Sequence, residues 1–550
     1  MSDRYQSLVP RPLVARRGEG SVELGRDTVL VAGPGAGAAA DAVRVLLAPL
    51  RLPLRPASDA GTDAVTVRLD PTLDGGPEAY RVTVDGAGVG LTGSTVDGVR
   101  HAAQVLRQLL PDAAWRSTPP PGTRWTVPCG EVTDAPALAW RGGMLDVTRH
   151  FFSKHTLLRD VDLFAMHRLN RLHLHLSDDQ AWRIESRRHP RLHEVGAHRA
   201  ETQIRHDRDG AADGTPHGGY YTLDDLAEVA AYAAERGVTV VPEIDLPGHA
   251  SALLAAYPEF GTGEHTVRGG WGISNAVVRP LPATVRFLTE VLDELADAVP
   301  GPYVHLGGDE VPMRDWAADP EIRAHQEALG YDGPIGLFGH FLRELATHLA
   351  GRGRQTLVWD EGFVGRGMLP DSIVTAWRGD AVARRAAAAC YRVVRCPVYP
   401  TYFDYDQSDR PDEPLSIGGP NTLADVAGFE PVPGTWSGAE RANVIGAQFQ
   451  VWSEYIPDAR HLDYMVFPRA SAFAEVAWTG RPAGDIRLDD HLGRLAAAGC
   501  GFRPLDGPLP WQTGGTGRRR RAPGTRIAQV REYLENASEH AEVPADGVSL

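Results

Sequence analysis

Residues 303–310 read YVHLGGDE, and the fold follows from how that stretch is parsed. A short run of β-formers, Tyr303 to Leu306, stops at two glycines and then meets two adjacent carboxylates, Asp309 and Glu310. Glycine lets the backbone turn sharply and approach a ligand closely, so the acid pair is expected just past a strand end. The same grammar recurs along the chain. The runs GGMLDV (142–147), NRLHLHL (170–176), GVTVVPEID (237–245), QTLVWD (355–360), SIVTAW (372–377), YRVVRCPVY (391–399) and VIGAQFQVW (444–452) are also short, apolar and followed by polar or aromatic residues. Amphipathic segments such as LDDLAEVAAYAAERG (223–237) and IGLFGHFLRELATHLAG (335–351) lie between them. Eight strands alternating with helices indicate an α/β protein whose main unit is a (β/α)8 TIM barrel, over 138–512. In such barrels the functional residues sit at the C-terminal ends of the strands, where the polar and aromatic residues fall here.

Outside the barrel the texture changes. Residues 1–135 are expected to form a small α+β domain, with strands over 27–33, 63–70 and 79–93 and a helix over 94–110. The Pro-rich stretch TPPPGTRWTVP (118–128) reads as a linker into the barrel. Residues 513–550 read as a basic linker, GTGRRRRAPG (515–524), and a terminal helix over 525–540. The four arginines 518–521 read as a solvated charge run.

Composition narrows the function. The chain has 550 residues, 43% hydrophobic and 23% charged, which excludes global disorder, and its net charge of −15 argues against a nucleic-acid or anionic-membrane partner. No apolar run approaches the roughly 20 residues of a membrane span. MSDRYQSLVPRPLVARR (1–17) has no signal-peptide core, and the four cysteines are scattered without a CxxC, so a cytoplasmic protein is expected. GPGAG (33–37) follows a strand but lacks the lysine and spacing of a phosphate loop.

The strand ends carry the candidate chemistry. Arg149 follows the first strand, in LDVTRHFF (145–152), with a planar fork suited to hydroxyls or a carboxylate. In LHLHLSDDQAWRI (172–184), His173 and His175 alternate onto one strand face, with Asp178 and Asp179 at its end. PEIDLPGHA (242–250) adds Glu243, Asp245 and His249. Trp359, Trp377 and Trp452 end or follow later strands; Tyr402 and Asp404 lie in PTYFDYD (400–406), and Glu454 comes two residues after Trp452. Flat aromatic faces among carboxylates and an arginine suit a carbohydrate pocket. Two other readings stay open: a metal-dependent barrel hydrolase built on the His173/His175 pair with Asp178 or His249, and a carbohydrate-binding protein without catalysis.

Taken together, LDVTRHFF, LHLHLSDDQAWRI, PEIDLPGHA, HLGGDE, VWDE (358–361), TAW (375–377), TYFD (401–404) and VWSE (451–454) resemble the family 20 glycoside hydrolases, the β-N-acetylhexosaminidases, in that family's order. The resemblance covers about 138–480, and the N-terminal unit looks like the family's non-catalytic domain. It implies an exo-acting, retaining enzyme on terminal β-linked GlcNAc, with GalNAc as a second candidate. It also implies no cofactor or metal, an N-acetylhexosaminide oligosaccharide as partner, and a monomer or homodimer. Carried over residue by residue, Glu310 is the general acid/base, Asp309 holds the 2-acetamido N–H, and Tyr402 hydrogen-bonds the acetamido oxygen. Trp359, Trp377 and Trp452 wall the pocket, Arg149, Asp404 and Glu454 bind hydroxyls, and Asp178 and His249 orient the acid. Such enzymes use the substrate's own acetamido oxygen as nucleophile, through an oxazolinium. The Asp309 carboxylate beside Glu310 is expected to disfavour a second charge and so keep the acid protonated. One departure stands out: the family often has another Trp after the tyrosine loop, whereas PLSIGGPNT (414–422) has none and Trp436 lies further on.

Overall fold

The computed structural model of the chain describes residues 3–59, 64–204, 211–513 and Leu534. The basic run and, apart from Leu534, the helix expected over 525–540 lie outside the described residues.

The N-terminal domain is a seven-stranded mixed sheet carrying two helices. Its strands are β1 (Val14–Leu24), β2 (Val29–Ala32), β3 (Arg55–Ala57), β4 (Ala64–Leu69), β5 (Tyr80–Asp85), β6 (Gly88–Gly93) and β7 (Trp125–Asp134), in the order β1-β7-β5-β6-β4-β2-β3. Helices α1 (Gly37–Leu47) and α2 (Val96–Leu109) pack on it, α2 being capped by Thr95, whose side chain accepts from Asp97 N–H. The expected strand 79–93 is a hairpin, turned at Gly86–Ala87 with the Asp85 side chain accepting from Ala87 N–H at 2.8 Å. Two elements correct the sequence reading. The stretch taken as a linker runs from Trp125 into β7, a strand between β1 and β5. Strand β1 was not anticipated, because most of its residues are exposed and show no alternation. As an edge strand it is held by main-chain pairing to β7, not by burying one face.

The barrel is closed and wholly parallel. Its strands are β8 (Trp140–Asp146), β9 (Arg171–His175), β10 (Thr239–Glu243), β11 (Tyr303–His305), β12 (Gln355–Trp359), β13 (Ile373–Ala376), β14 (Arg392–Arg395) and β15 (Val444–Val451), with β15 pairing back to β8. Each falls inside one of the eight runs read from sequence or overlaps it. The barrel interior is partly polar: Gln448 Nε2 lies 3.0 Å from His173 Nδ1, and Trp140 Nε1 donates to Gln448 Oε1 at 3.2 Å. Such groups are tolerated inside because they satisfy one another.

The two domains meet through buried polar contacts. Asp134, at the end of β7, accepts from Tyr80 Oη, Arg168 Nη1 and Trp478 Nε1 at 2.8, 3.0 and 2.9 Å. Arg141, near the start of β8, pairs with Glu78. Asn170 and Arg168 precede β9, so the sheet braces the end of the barrel opposite the strand C-termini.

Candidate active site

The turn after β11 is built as its sequence implies. Gly307 and Gly308 have φ of 66° and 99°. A Cβ on Gly307 would lie 1.7 Å from Asp245 Oδ1, the atom that accepts from Gly308 N–H at 3.1 Å. Only glycine fits both the left-handed backbone and that approach. We expect Gly307→Ala to displace Asp309 and Glu310 and cost at least a hundredfold in kcat/KM. Steady-state kinetics, with circular dichroism to check folding, test this; near-wild-type kcat/KM would contradict it.

Past the turn, Asp309 is buried and Glu310 partly exposed, with φ of 51°. His249, after β10, reaches both carboxylates: its Nε2 is 3.8 Å from Asp309 Oδ2 and 3.6 Å from Glu310 Oε2. Its Nδ1 lies 3.2 Å from Asp178 Oδ1. Burial disfavours charge on His249, but Asp178, Asp179 and Glu310 outweigh it and hold the imidazole protonated well above the usual histidine range. Burial pushes the Asp309 carboxyl up to about 6; His249 opposes the rise and the Glu310 charge adds to it.

Behind this pair is a hub that sequence reasoning had placed at a strand end without a role. Glu243, the last residue of β10, is fully buried. One of its oxygens lies 2.5 Å from His175 Nδ1 and 3.1 Å from His173 Nε2. The other accepts from Trp359 Nε1 at 2.9 Å and lies 2.9 Å from His305 Nδ1. Burial opposes its charge, but the three histidines prevail and keep the carboxyl well below its ordinary range. His175 Nε2 in turn lies 2.7 Å from Asp178 Oδ2, which also pairs with Arg149 Nη2 at 2.8 Å. A continuous chain, Glu243–His175–Asp178–His249, therefore ends on the acid pair. In the His173/His175 pair three of the four ring nitrogens lie within 3.0 Å of a carboxylate or amide, and the fourth is 3.1 Å from Glu243.

The three tryptophans converge although they come from three strands. Trp359, Trp377, Tyr402, Cys396, Val398 and Tyr405 form one apolar cluster, with Trp452 packed against it. Trp359 and Trp452 ring centroids are 6.1 Å apart, and Tyr402 and Trp452 centroids 6.4 Å. Two of the walls are tethered: Trp359 by Glu243, and Trp377 by Glu361, whose Oε2 accepts from Trp377 Nε1 at 2.9 Å. Burial pushes the Glu361 carboxyl well above its usual range. Burial likewise keeps the Tyr402 hydroxyl protonated, well above 10. The tyrosine loop is pinned by residues that nothing in the sequence singled out. Asn421 Nδ2 donates to the Pro400 and Tyr402 carbonyls at 2.9 and 2.7 Å, and the buried Arg469 donates to the Tyr405 and Asn421 carbonyls at 3.0 and 2.8 Å. A long-range tie of this kind leaves no local pattern to read.

Arg149, gripped by Asp178, Asp146 and Gln180, stands 5.0 Å over the Trp452 ring. Glu454 is near enough to raise its proton affinity. Asp404 is buried two residues past Tyr402. Trp436 does not join the cluster; it packs in the main core, 5.2 Å from the Arg395 guanidinium. The 414–422 loop contributes Ile417 to the aromatic cluster instead.

Among the carboxylate oxygens here that are buried without a hydrogen-bond partner in the described residues are Asp309 Oδ1 and Glu454 Oε2. Unpaired buried acceptors are costly, and beside a pocket they mark where a ligand donates.

Comparison with known proteins agrees with this geometry. Residues 138–481 match the glycosyl hydrolase family 20 catalytic domain, and residues 5–135 match domain 2 of the same family. A β-hexosaminidase of Porphyromonas gingivalis is 34% identical over 528 residues, 94% of this chain and 66% of that protein. A β-N-acetylhexosaminidase of Cellulomonas fimi is 33% identical over 507 residues, 89% of this chain and 93% of that one. Among solved structures, the exo β-N-acetylglucosaminidase of Vibrio harveyi in complex with N-acetylglucosamine has a TM-score of 0.79 at 30% identity, covering 92% of this chain and 79% of that one. The β-N-acetylhexosaminidase of Streptomyces coelicolor A3(2) has a TM-score of 0.77 at 29% identity, covering 92% and 99%. A closed barrel with an acid pair at its mouth beside an aromatic pocket is, with these matches, a glycoside hydrolase. The chain belongs to glycosyl hydrolase family 20.

Proposed function

We propose that this glycoside hydrolase is an exo-acting β-N-acetylhexosaminidase that removes terminal non-reducing β-linked GlcNAc, with retention of configuration. The observation that carries the reading is the acid pair beside the aromatic cluster, with Asp309 Oδ1 buried and unpaired among the described residues.

The chemistry follows from these positions. Trp359, Trp377 and Trp452 enclose the 2-acetamido group and exclude water. Asp309 accepts the acetamido N–H, which aims the acetamido oxygen at the anomeric carbon, and the protonated Tyr402 hydroxyl donates to that oxygen. Glu310 gives its proton to the glycosidic oxygen as the acetamido oxygen forms the new C–O bond and the leaving group departs. The oxazolinium carries positive charge, which the Asp309 carboxylate offsets. Water then attacks the anomeric carbon, Glu310 takes its proton, and the acetamido group re-forms. Two displacements give net retention. Adjacent carboxylates suit this route, since neither serves as a nucleophile from the opposite face. Arg149, Asp404 and Glu454 bind ring hydroxyls, and Asp178 with His249 fixes the acid's orientation.

The test is hydrolysis of a chromogenic β-GlcNAc glycoside, with the β-GalNAc glycoside and an EDTA-treated set in parallel, and the anomer released first read by NMR. Turnover unaffected by EDTA with the β anomer appearing first is expected. Loss of activity on chelation would favour the histidine-pair metal reading, and binding of N-acetylglucosamine without turnover would favour a non-catalytic sugar binder.

Among the described residues no helix is long and apolar enough to cross a membrane. All four cysteines are free and three are buried, which supports the cytoplasm as the location in this proposal. Monomer or homodimer is decided by light scattering.

A further inference from the structure

The buried side chain of Gln180 bridges two parts of the barrel mouth. Its Oε1 accepts from Arg149 Nε at 2.9 Å, and its Nε2 donates to the Gly270 carbonyl at 2.8 Å. We propose that Gln180 is a positioning residue: through this bridge the 268–271 loop fixes the plane of the Arg149 guanidinium, and so sets the enzyme's grip on the hydroxyls of the terminal sugar. This rests on the role given to Arg149 under Proposed function.

The geometry of the fork carries the argument. Arg149 Nη1 lies 3.3 Å from Asp146 Oδ2, and Nη2 lies 2.8 Å from Asp178 Oδ2. Two ion pairs hold the charge but leave the guanidinium free to turn about the line joining its Nη atoms. The third contact, at Nε, fixes the plane, which stands over the Trp452 ring. A guanidinium has five N–H groups, so one acceptor at each nitrogen leaves N–H groups on both Nη atoms for hydroxyl oxygens. An amide suits the bridge because it accepts at one atom and donates at the other. A carboxylate would set an acceptor against the Gly270 carbonyl. The loop is itself anchored: Arg268 N–H donates to the Asp179 carbonyl at 3.0 Å, Trp271 N–H to Gln203 Oε1 at 3.1 Å, and Gln203 N–H to the Gly269 carbonyl at 2.7 Å. The buried Trp271 ring lies 5.9 Å from His150 and 6.2 Å from Tyr455, the residues that follow Arg149 and Glu454. The loop therefore bears on the chain next to two of the residues assigned to the hydroxyls.

The test compares the full chain with Gln180→Met, which removes both hydrogen bonds at nearly the same length, and Gln180→Glu, which keeps an acceptor for Arg149 but cannot donate to Gly270. Kinetics are measured on the chromogenic β-GlcNAc glycoside and its 3-deoxy and 4-deoxy forms, and hydrogen exchange is followed over 266–273. On the parent glycoside KM should rise about tenfold in Gln180→Met with kcat within about threefold, the size of one hydrogen bond to a charged group made equally in ground and transition states. Gln180→Glu should raise KM as well. On at least one deoxy glycoside both variants should lose less than about threefold, because the hydroxyl that Arg149 holds is already gone. The amides of 268–271 should exchange faster in both. A fall in kcat at unchanged KM, or equal losses on all three glycosides, would overturn the proposal, since a merely structural role weakens every substrate alike. Wild-type KM and loop exchange in Gln180→Glu would overturn the bridge. If the wild type turns over no glycoside, the hexosaminidase reading fails instead. The bridge is then judged by exchange alone: faster exchange at 268–271 in Gln180→Met supports it, and unchanged exchange overturns it.

Discussion

Glu310→Gln is expected to lower kcat by about a hundredfold to ten-thousandfold, the range for removing a positioned general acid. The amide keeps the shape and the 3.6 Å approach to His249 but has no proton to deliver to the leaving oxygen. The loss should depend on the leaving group. A nitrophenolate departs without protonation, so the chromogenic glycoside should be cut with a smaller deficit than an unactivated disaccharide. Comparing kcat for the two substrates in wild type and variant checks this. Equal deficits would mean that Glu310 acts otherwise than as acid, and full activity would remove it from the mechanism.

The second large effect belongs to Asp309. Asp309→Asn removes the negative charge that offsets the oxazolinium and turns an acceptor into a mixed donor and acceptor, so kcat should fall about a hundredfold to a thousandfold. The pH profile adds an independent reading. Asp309 is raised from 3.8 to about 6, chiefly by burial, so it is ionised above that pH and protonated below it. Wild-type kcat/KM should therefore drop on the acid side with an apparent pKa near 6, and that limb should vanish in Asp309→Asn. If the limb persists in the variant, another group titrates there. Because the two carboxyls and His249 interact, the limb belongs to the cluster as a whole.

These predictions rest on residues that were legible in the sequence, because they sit four and five residues beyond the end of a short strand. A strand that ends in Gly-Gly-Asp-Glu or Val-Trp-Ser-Glu carries its own signal, and the eight runs are each set by local pattern. What binds the motifs together is not local. Glu243 holds Trp359 and three histidines drawn from β9 and β11, and Asn421 and Arg469 hold the tyrosine loop across long stretches of chain. Strand β1 was missed for the opposite reason: an exposed edge strand has no hydrophobic face to announce it.

The sequence by itself determined the barrel, the order of its strands, the acid pair at its mouth and the aromatic residues that line it, since periodicity and turn chemistry act over a few residues. Only the tertiary structure decided that Glu243 links the tryptophan wall to the acid pair through His175, Asp178 and His249, and that Asn421 and Arg469 hold the tyrosine loop. Closing the barrel brings strand ends distant in sequence within hydrogen-bond reach, and the partners that then satisfy a buried charge depend on which side chains arrive there.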